Sequence, residues 1–102
     1  MTYWFFDTYI PDRMMPGLER YINEGIMPGH FLTAVLENDL AEAFGRADTE
    51  NLKNMRAYVG YLYNEAPIDC WGSPAKVREW IEMGGLKGKR AAEAAREESG
   101  EA

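Results

Sequence analysis

Cysteine is scarce in this sequence. Cys70 stands alone, so no disulfide can form within the chain. A reducing intracellular compartment fits that shortage. There is one histidine, His30, and one Cys with one His builds no zinc site without carboxylates. No spacing resembles a zinc motif or a calcium loop. Apolar runs are short, and none approaches the roughly 20 residues of a membrane span. The N-terminus has neither the basic start nor the apolar stretch of a secretory signal, and Asp7 interrupts its aromatic run. Glycine falls at turns and expected helix ends, never in a pattern that cradles phosphate. These shortages lead to the expectation of a cytoplasmic protein with no cofactor, no metal and no membrane contact.

Bases are also in short supply. Eleven Lys and Arg stand against seventeen Asp and Glu, a net charge of −6. Residues 1–84 hold 13 acids and 7 bases and so carry all of that excess, while residues 85–102 hold 4 of each. Such a field repels phosphate and argues against direct binding of DNA or RNA. It attracts a basic surface on another protein. Acidity of this size also serves solubility alone.

What is present is helical patterning in a chain of 102 residues, the length of one domain. The stretch from Pro28 to Asn51 organises the rest. Leu32, Val35, Leu36, Leu40, Ala43 and Phe44 recur at spacings of three and four, which predicts one continuous helix with a single apolar stripe. Gly45 is placed to end it, and Asp48 or Thr49 to cap the next. A short helix is expected over 16–24, with Leu18, Tyr21 and Ile22 inward, an Arg20–Glu24 pair outside and Gly25 as its stop. A third is expected over 48–64, burying Leu52, Met55, Val59, Leu62 and Tyr63. Ser73 before Pro74 marks the start of a fourth, closed by Gly84 and Gly85, with Val77, Trp80 and Ile81 inward.

Both ends depart from this pattern. Residues 3–10 favour a strand, with Tyr3, Phe5, Asp7 and Tyr9 on one face and Trp4, Phe6, Thr8 and Ile10 on the other. No second convincing strand exists to pair with it. It is expected to pack as an extended arm, to form the first turns of a helix or to pair with the same segment of another copy. Beyond Leu86 the only apolar stripe is alanine, which predicts a mobile tail. The expected fold is therefore all-α: a compact bundle of about four helices at 11–85, an aromatic arm at 1–10 and a tail at 86–102.

A catalytic centre is not legible. His30 reads as a capping or packing residue and Cys70 as a small buried one, and a dyad of the two has a low prior. The carboxylate pairs Asp39 with Glu42 and Glu79 with Glu82 lack the histidine of a di-metal motif. The acidic surface remains. Glu37, Asp39, Glu42, Asp48 and Glu50 lie within fourteen residues, offset by Arg46. They form either a solvated face, with Glu42 and Arg46 paired, or a rim that imitates a row of phosphates and occupies a basic groove. Tyr3, Trp4 and Phe6 would add apolar anchors.

The run Pro-Gly-His-Phe-Leu-Thr-Ala-Val-Leu-Glu-Asn-Asp-Leu at 28–40 carries a resemblance. So do Gly-Arg-Ala-Asp-Thr-Glu-Asn at 45–51, Leu-Tyr-Asn-Glu-Ala-Pro at 62–67 and Cys-Trp-Gly-Ser-Pro at 70–74. Across residues 10–82 the chain resembles small phage and prophage proteins that have no assigned activity. The resemblance implies an origin in a mobile element and, by analogy, an accessory factor that binds a host protein, as inhibitors of CRISPR–Cas and restriction systems do. The expected function is therefore a non-enzymatic inhibitor of a host nucleic-acid-handling defence complex, such as a CRISPR effector, docking through the acidic rim. A self-associating structural or virion-related domain, paired through Tyr3 to Ile10 as a homodimer, is the alternative. A small hydrolase or transferase using Cys70 ranks last.

Overall fold

The computed structural model describes residues 2–100, with side chains through Glu98. Two short strands open the chain, β1 (Tyr3–Phe5) and β2 (Thr8–Ile10). Seven α-helices follow: α1 (Met15–Glu24), α2 (His30–Leu36), α3 (Leu40–Arg46), α4 (Thr49–Lys53), α5 (Met55–Asn64), α6 (Pro74–Met83) and α7 (Gly85–Gly100). Single 3₁₀ turns at Asp12–Met14 and Ile68–Cys70 lead into α1 and towards α6. The protein is mostly helical, as expected, but its helices are shorter and more numerous than four, and it contains a small sheet.

The core is built around α1 and α6. On α1, Leu18, Tyr21 and Ile22 are buried at helical spacing, and the left-handed Gly25 ends the helix with its N–H on the Tyr21 carbonyl, 2.9 Å away. On α6, the Ser73 hydroxyl accepts the Lys76 N–H at 3.1 Å, Pro74 follows at the first helical position, and Val77 and Trp80 are buried. Tyr21 joins the two helices and the second 3₁₀ turn. Its phenol donates to the Cys70 carbonyl at 2.6 Å, and its own carbonyl accepts the Trp80 indole N–H at 3.0 Å. Glu24 pairs with Lys87 at 3.4 Å rather than with Arg20.

The long helix expected from Pro28 to Phe44 is two helices. Asn38 takes a left-handed conformation, φ 60°, and donates to the Val35 carbonyl, while Asp39 N–H reaches back to the Ala34 carbonyl at 2.9 Å. That pair of bonds is a Schellman motif, which satisfies the last carbonyls of α2 and ends it. The Asp39 carboxylate then accepts the Glu42 N–H and starts α3. Gly45 lies inside α3 rather than ending it. The break rotates α3, so the single stripe does not survive: Ala43 is buried, but Leu40 and Phe44 face solvent.

The helix expected over 48–64 is also divided, at Asn54. Its buried face is Ala57, Tyr58, Gly60 and Leu62, whereas Leu52, Val59 and Tyr63 are exposed. The hairpin sets this phase. A Cβ on Gly60 would lie 2.5 Å from the Phe5 ring, so the strands press directly on the α5 backbone. The presumed lone strand is in fact β1 paired antiparallel with β2, Tyr3 opposite Ile10, Trp4 opposite Tyr9 and Phe5 opposite Thr8. Its two-residue turn, Phe6-Asp7, changes the parity. Tyr3, Phe5, Thr8 and Ile10 share the inner face, and Trp4 and Tyr9 the outer one. The backbone partner is therefore the next segment of the same chain.

The expected tail is helical from Gly85 to Gly100. Its first turn packs on α1, with Gly85 buried and Leu86 against the core, and residues 91–98 are exposed. Residues 101 and 102 of that tail, and Met1 of the arm, lie outside the described residues. The docking is a backbone contact between two left-handed glycines, Gly25 and Gly85, at φ 69° and 67°. A Cβ on Gly85 would sit 2.6 Å from the Gly25 nitrogen. Gly85→Ala is therefore expected to lose at least about 2 kcal/mol, from the left-handed backbone and the clash together, and to lower Tm by roughly 8 °C or more. Gly29→Ala, with nothing within 4 Å, serves as the control in the same thermal melts.

Candidate protein-binding surface

The five acids do not form one free rim. Asp48 caps α4 by accepting the Asn51 N–H at 2.8 Å, and it holds Arg13 at 2.9 Å. Glu50 accepts from the same Arg13 nitrogen at 3.1 Å and from the Tyr9 hydroxyl at 2.8 Å. These two acids fasten the hairpin and the first 3₁₀ turn to α4. Asp39 caps α3, and Glu42 pairs with Arg46 at 3.2 Å across one helical turn. Glu37 is half-buried where two hollows meet. One, of about 220 Å³, is lined in part by His30, Glu42 and Arg46; the other, of about 410 Å³, by Val77, Arg78, Ile81 and Glu82. The structure brings Glu37 and Glu42 to one hollow and ties Asp48 and Glu50 to Arg13 elsewhere.

Behind the Arg13 cluster lies a buried polar network. Asn51 accepts the Tyr58 hydroxyl, and Asn54 accepts the Tyr9 N–H at 2.9 Å while donating to the Glu50 carbonyl at 2.8 Å. Both asparagines are buried. Each is hydrogen-bonded, so neither leaves an unpaired group that would call for a ligand.

The hairpin presents its aromatics unequally. Tyr3 packs edge-on against Tyr61, ring centres 5.1 Å apart, and belongs to the core. Trp4 leans on Tyr9 and stays 60% exposed; Phe6, at the tip, is 73% exposed. Phe6 has a φ of 57°, which is costly for a bulky side chain. The Arg56 guanidinium over its ring, 4.5 Å from the centre, and the adjoining Phe5 ring hold it there.

A second apolar surface is one the sequence pattern hid. Leu40 is 68% exposed and Phe44, one turn on, 47%; Val59 and Tyr63, one turn apart on α5, are 45% and 73% exposed. Leu40 and Ala43 of α3 face Met55 and Val59 of α5 across a depression of about 50 Å³, floored by Ala34 and Val35 and closed by Asn38 and Asp39. Leu40, Phe44, Val59 and Tyr63 are expected inward when the stripes run unbroken through Asn38 and Asn54, and they stand exposed instead. At the first break the signal is Asn38 followed by Asp39, a helix stop beside a helix start; Asn54, followed by Met55, carries no such pair.

The groups considered for catalysis lie apart in character. Cys70 is fully buried, and burial pushes its thiol up to about 12, so it carries no thiolate near neutral pH. His30 is exposed at the start of α2. Among the described residues no three His, Cys, Asp or Glu side chains converge on a metal position, and no helix is long and apolar enough to cross a membrane. Compared with family models, curated proteins and solved structures, the chain gives no match.

Two expectations follow for the hairpin and its clamp. Gly60→Ala suits the helix, where Ala is favoured by about 1 kcal/mol, but it drives a methyl group into Phe5. Hydrogen exchange should show protection of the Tyr9 amide lost while α5 keeps its own. The Asp48 carboxyl is held below its ordinary value of 3.8, first by the Asn51 N–H and then by Arg13. A depressed folded value gives stability that is present above pH 3.8 and lost as pH falls through the lower folded value. Thermal melts from pH 6 to pH 2 should show that loss, and Asp48→Asn, which keeps a cap, should flatten it.

Proposed function

We propose that this chain is a non-enzymatic binding protein that docks on a host protein complex and blocks its handling of nucleic acid, with a CRISPR effector as the leading candidate. The observation that carries the binding reading is the set of large apolar side chains left in water: Trp4 and Phe6 on the hairpin, Leu40 and Phe44 on α3, Val59 and Tyr63 on α5. Exposed aromatic and aliphatic groups gathered on neighbouring elements are the usual core of a protein interface. Two things support a basic, nucleic-acid-handling partner: the charge of −6, and the resemblance to small phage and prophage proteins. The acidic part of recognition falls to Glu37, Asp39 and Glu42, because Asp48 and Glu50 act within the fold through Arg13.

The alternative is a self-associating structural or virion-related domain. The same exposed apolar residues would serve its interface, against the mutual repulsion of two chains of charge −6.

The test is affinity capture from host lysate with tagged protein at low and moderate salt, followed by nucleic-acid binding measured on the retained complex. The expected result is a stoichiometric nucleic-acid-binding complex that is released as salt rises and is inhibited while the protein is bound. Retention of no partner at low salt, or of a complex whose nucleic-acid binding is unchanged, would overturn the reading.

A further inference from the structure

We infer that the groove between α3 and α5 is a docking site for an amphipathic, basic helix of a partner protein, an inference that rests on the binding reading above and specifies its occupant. The shape comes first. Leu40 and Phe44 on α3, and Met55, Val59 and Tyr63 on α5, recur at four-residue spacing, so each helix offers a ridge with steps of about 6 Å. Between the ridges, Leu40, Ala43, Met55 and Val59 surround a depression with Ala34 and Val35 at its floor. A third helix laid along the groove can place an apolar side chain between the two ridges. The depression, about 50 Å³, is shallow and takes the tip of one aliphatic side chain. Among the described residues no helix of this chain covers Leu40, Val59 or Tyr63.

Charge selects the occupant. Asp39 is the one charged residue lining the depression, at its closed end. One of its oxygens caps the Glu42 N–H, which leaves the carboxylate a charge to offer. The net charge of −6 adds a long-range preference for a basic partner. A second copy would bring like charges together around the groove. A helix with a Leu or Met anchor and Lys or Arg one turn to either side would satisfy both the depression and the carboxylate.

The experiment titrates full-length protein with three synthetic peptides: a Leu/Lys helix with an apolar stripe, the same composition scrambled, and a striped Leu/Glu helix. Binding is measured by calorimetry and mapped by NMR shifts. The expected result is that the striped basic peptide binds, moves the amides of Leu40, Ala43, Met55 and Val59, and loses affinity as salt rises. Leu40→Lys and Val59→Lys, both at exposed positions, should each weaken it by about tenfold or more with Tm unchanged. Asp39→Asn, which keeps a cap, should weaken it less and reduce the salt dependence. Equal binding by the scrambled or the acidic peptide, shifts confined to other surfaces, or full affinity in both lysine variants would overturn the proposal. So would a dimer of the protein alone that Val59→Lys dissociates, since a second copy would then own the groove. The two proposals fail separately. A captured, inhibited host complex with no stripe-dependent peptide binding removes the groove alone. Stripe-dependent binding with no captured complex removes the host-complex reading alone.

Discussion

Tyr21 is the residue on which the packing of this protein turns. It is fully buried, and burial raises its phenol far above the usual tyrosine range, so the group stays a protonated donor. The phenol closes on the Cys70 carbonyl, and the backbone carbonyl takes both the Gly25 N–H and the Trp80 indole. A helix end, a 3₁₀ turn and the buried tryptophan of α6 are thereby set by one residue. The glycine contact between the end of α1 and the start of α7 lies one turn further on. It can be that close because Trp80 has already fixed α6 beside Gly25. The Gly72 N–H meeting the Leu36 carbonyl at 2.8 Å ties α2 to the same frame.

That frame explains how the polar residues divide. Where the hairpin meets α4 and α5, Arg13, Asp48, Glu50, Asn51 and Asn54 are occupied with one another and with Tyr9 and Tyr58. Acids that look like a recognition surface in the sequence serve here as caps and clamps. The apolar residues show the converse. Leu40, Val59 and Tyr63 look like core in the sequence and stand in water. The exposed surface of these elements is therefore more apolar than the charge pattern suggests.

Local chemistry was legible where one residue type has one physical use. Ser73 before Pro74, Gly25 after Ile22, and the inward triplet Leu18, Tyr21 and Ile22 read correctly, because caps and short stripes depend on their own few neighbours. The stripe from Leu32 to Phe44 misled because its spacing passes unbroken through Asn38. Periodicity carries no record of a residue entering the left-handed region, whereas the Asn-Asp pair does. The hairpin was missed for a related reason. Phe6 at a positive φ is a turn residue that propensity would not choose, and its support comes from Arg56, fifty residues away. The phase of α5 was out of reach without the hairpin, since Gly60 becomes a contact only when Phe5 is laid over it. The alanine-rich C-terminal segment offers little to bury, and it docks through a close backbone approach at Gly85 together with Leu86 and Lys87 at its start.

The contacts that close this fold join distant parts of the chain: hydrogen bonds from Tyr21 to Cys70 and Trp80 and from Tyr9 to Asn54, and the close approach of Gly25 to Gly85. Most helical domains of this size are knit by near neighbours and fold as they lengthen. Here α1 is fastened to α6 through Tyr21 and Trp80, 59 residues apart, and α2 and α3, at seven residues each, are too short to persist alone. Closure of this fold therefore depends on contacts made across long stretches of chain, whose loop-closure entropy slows folding relative to a bundle knit by neighbours.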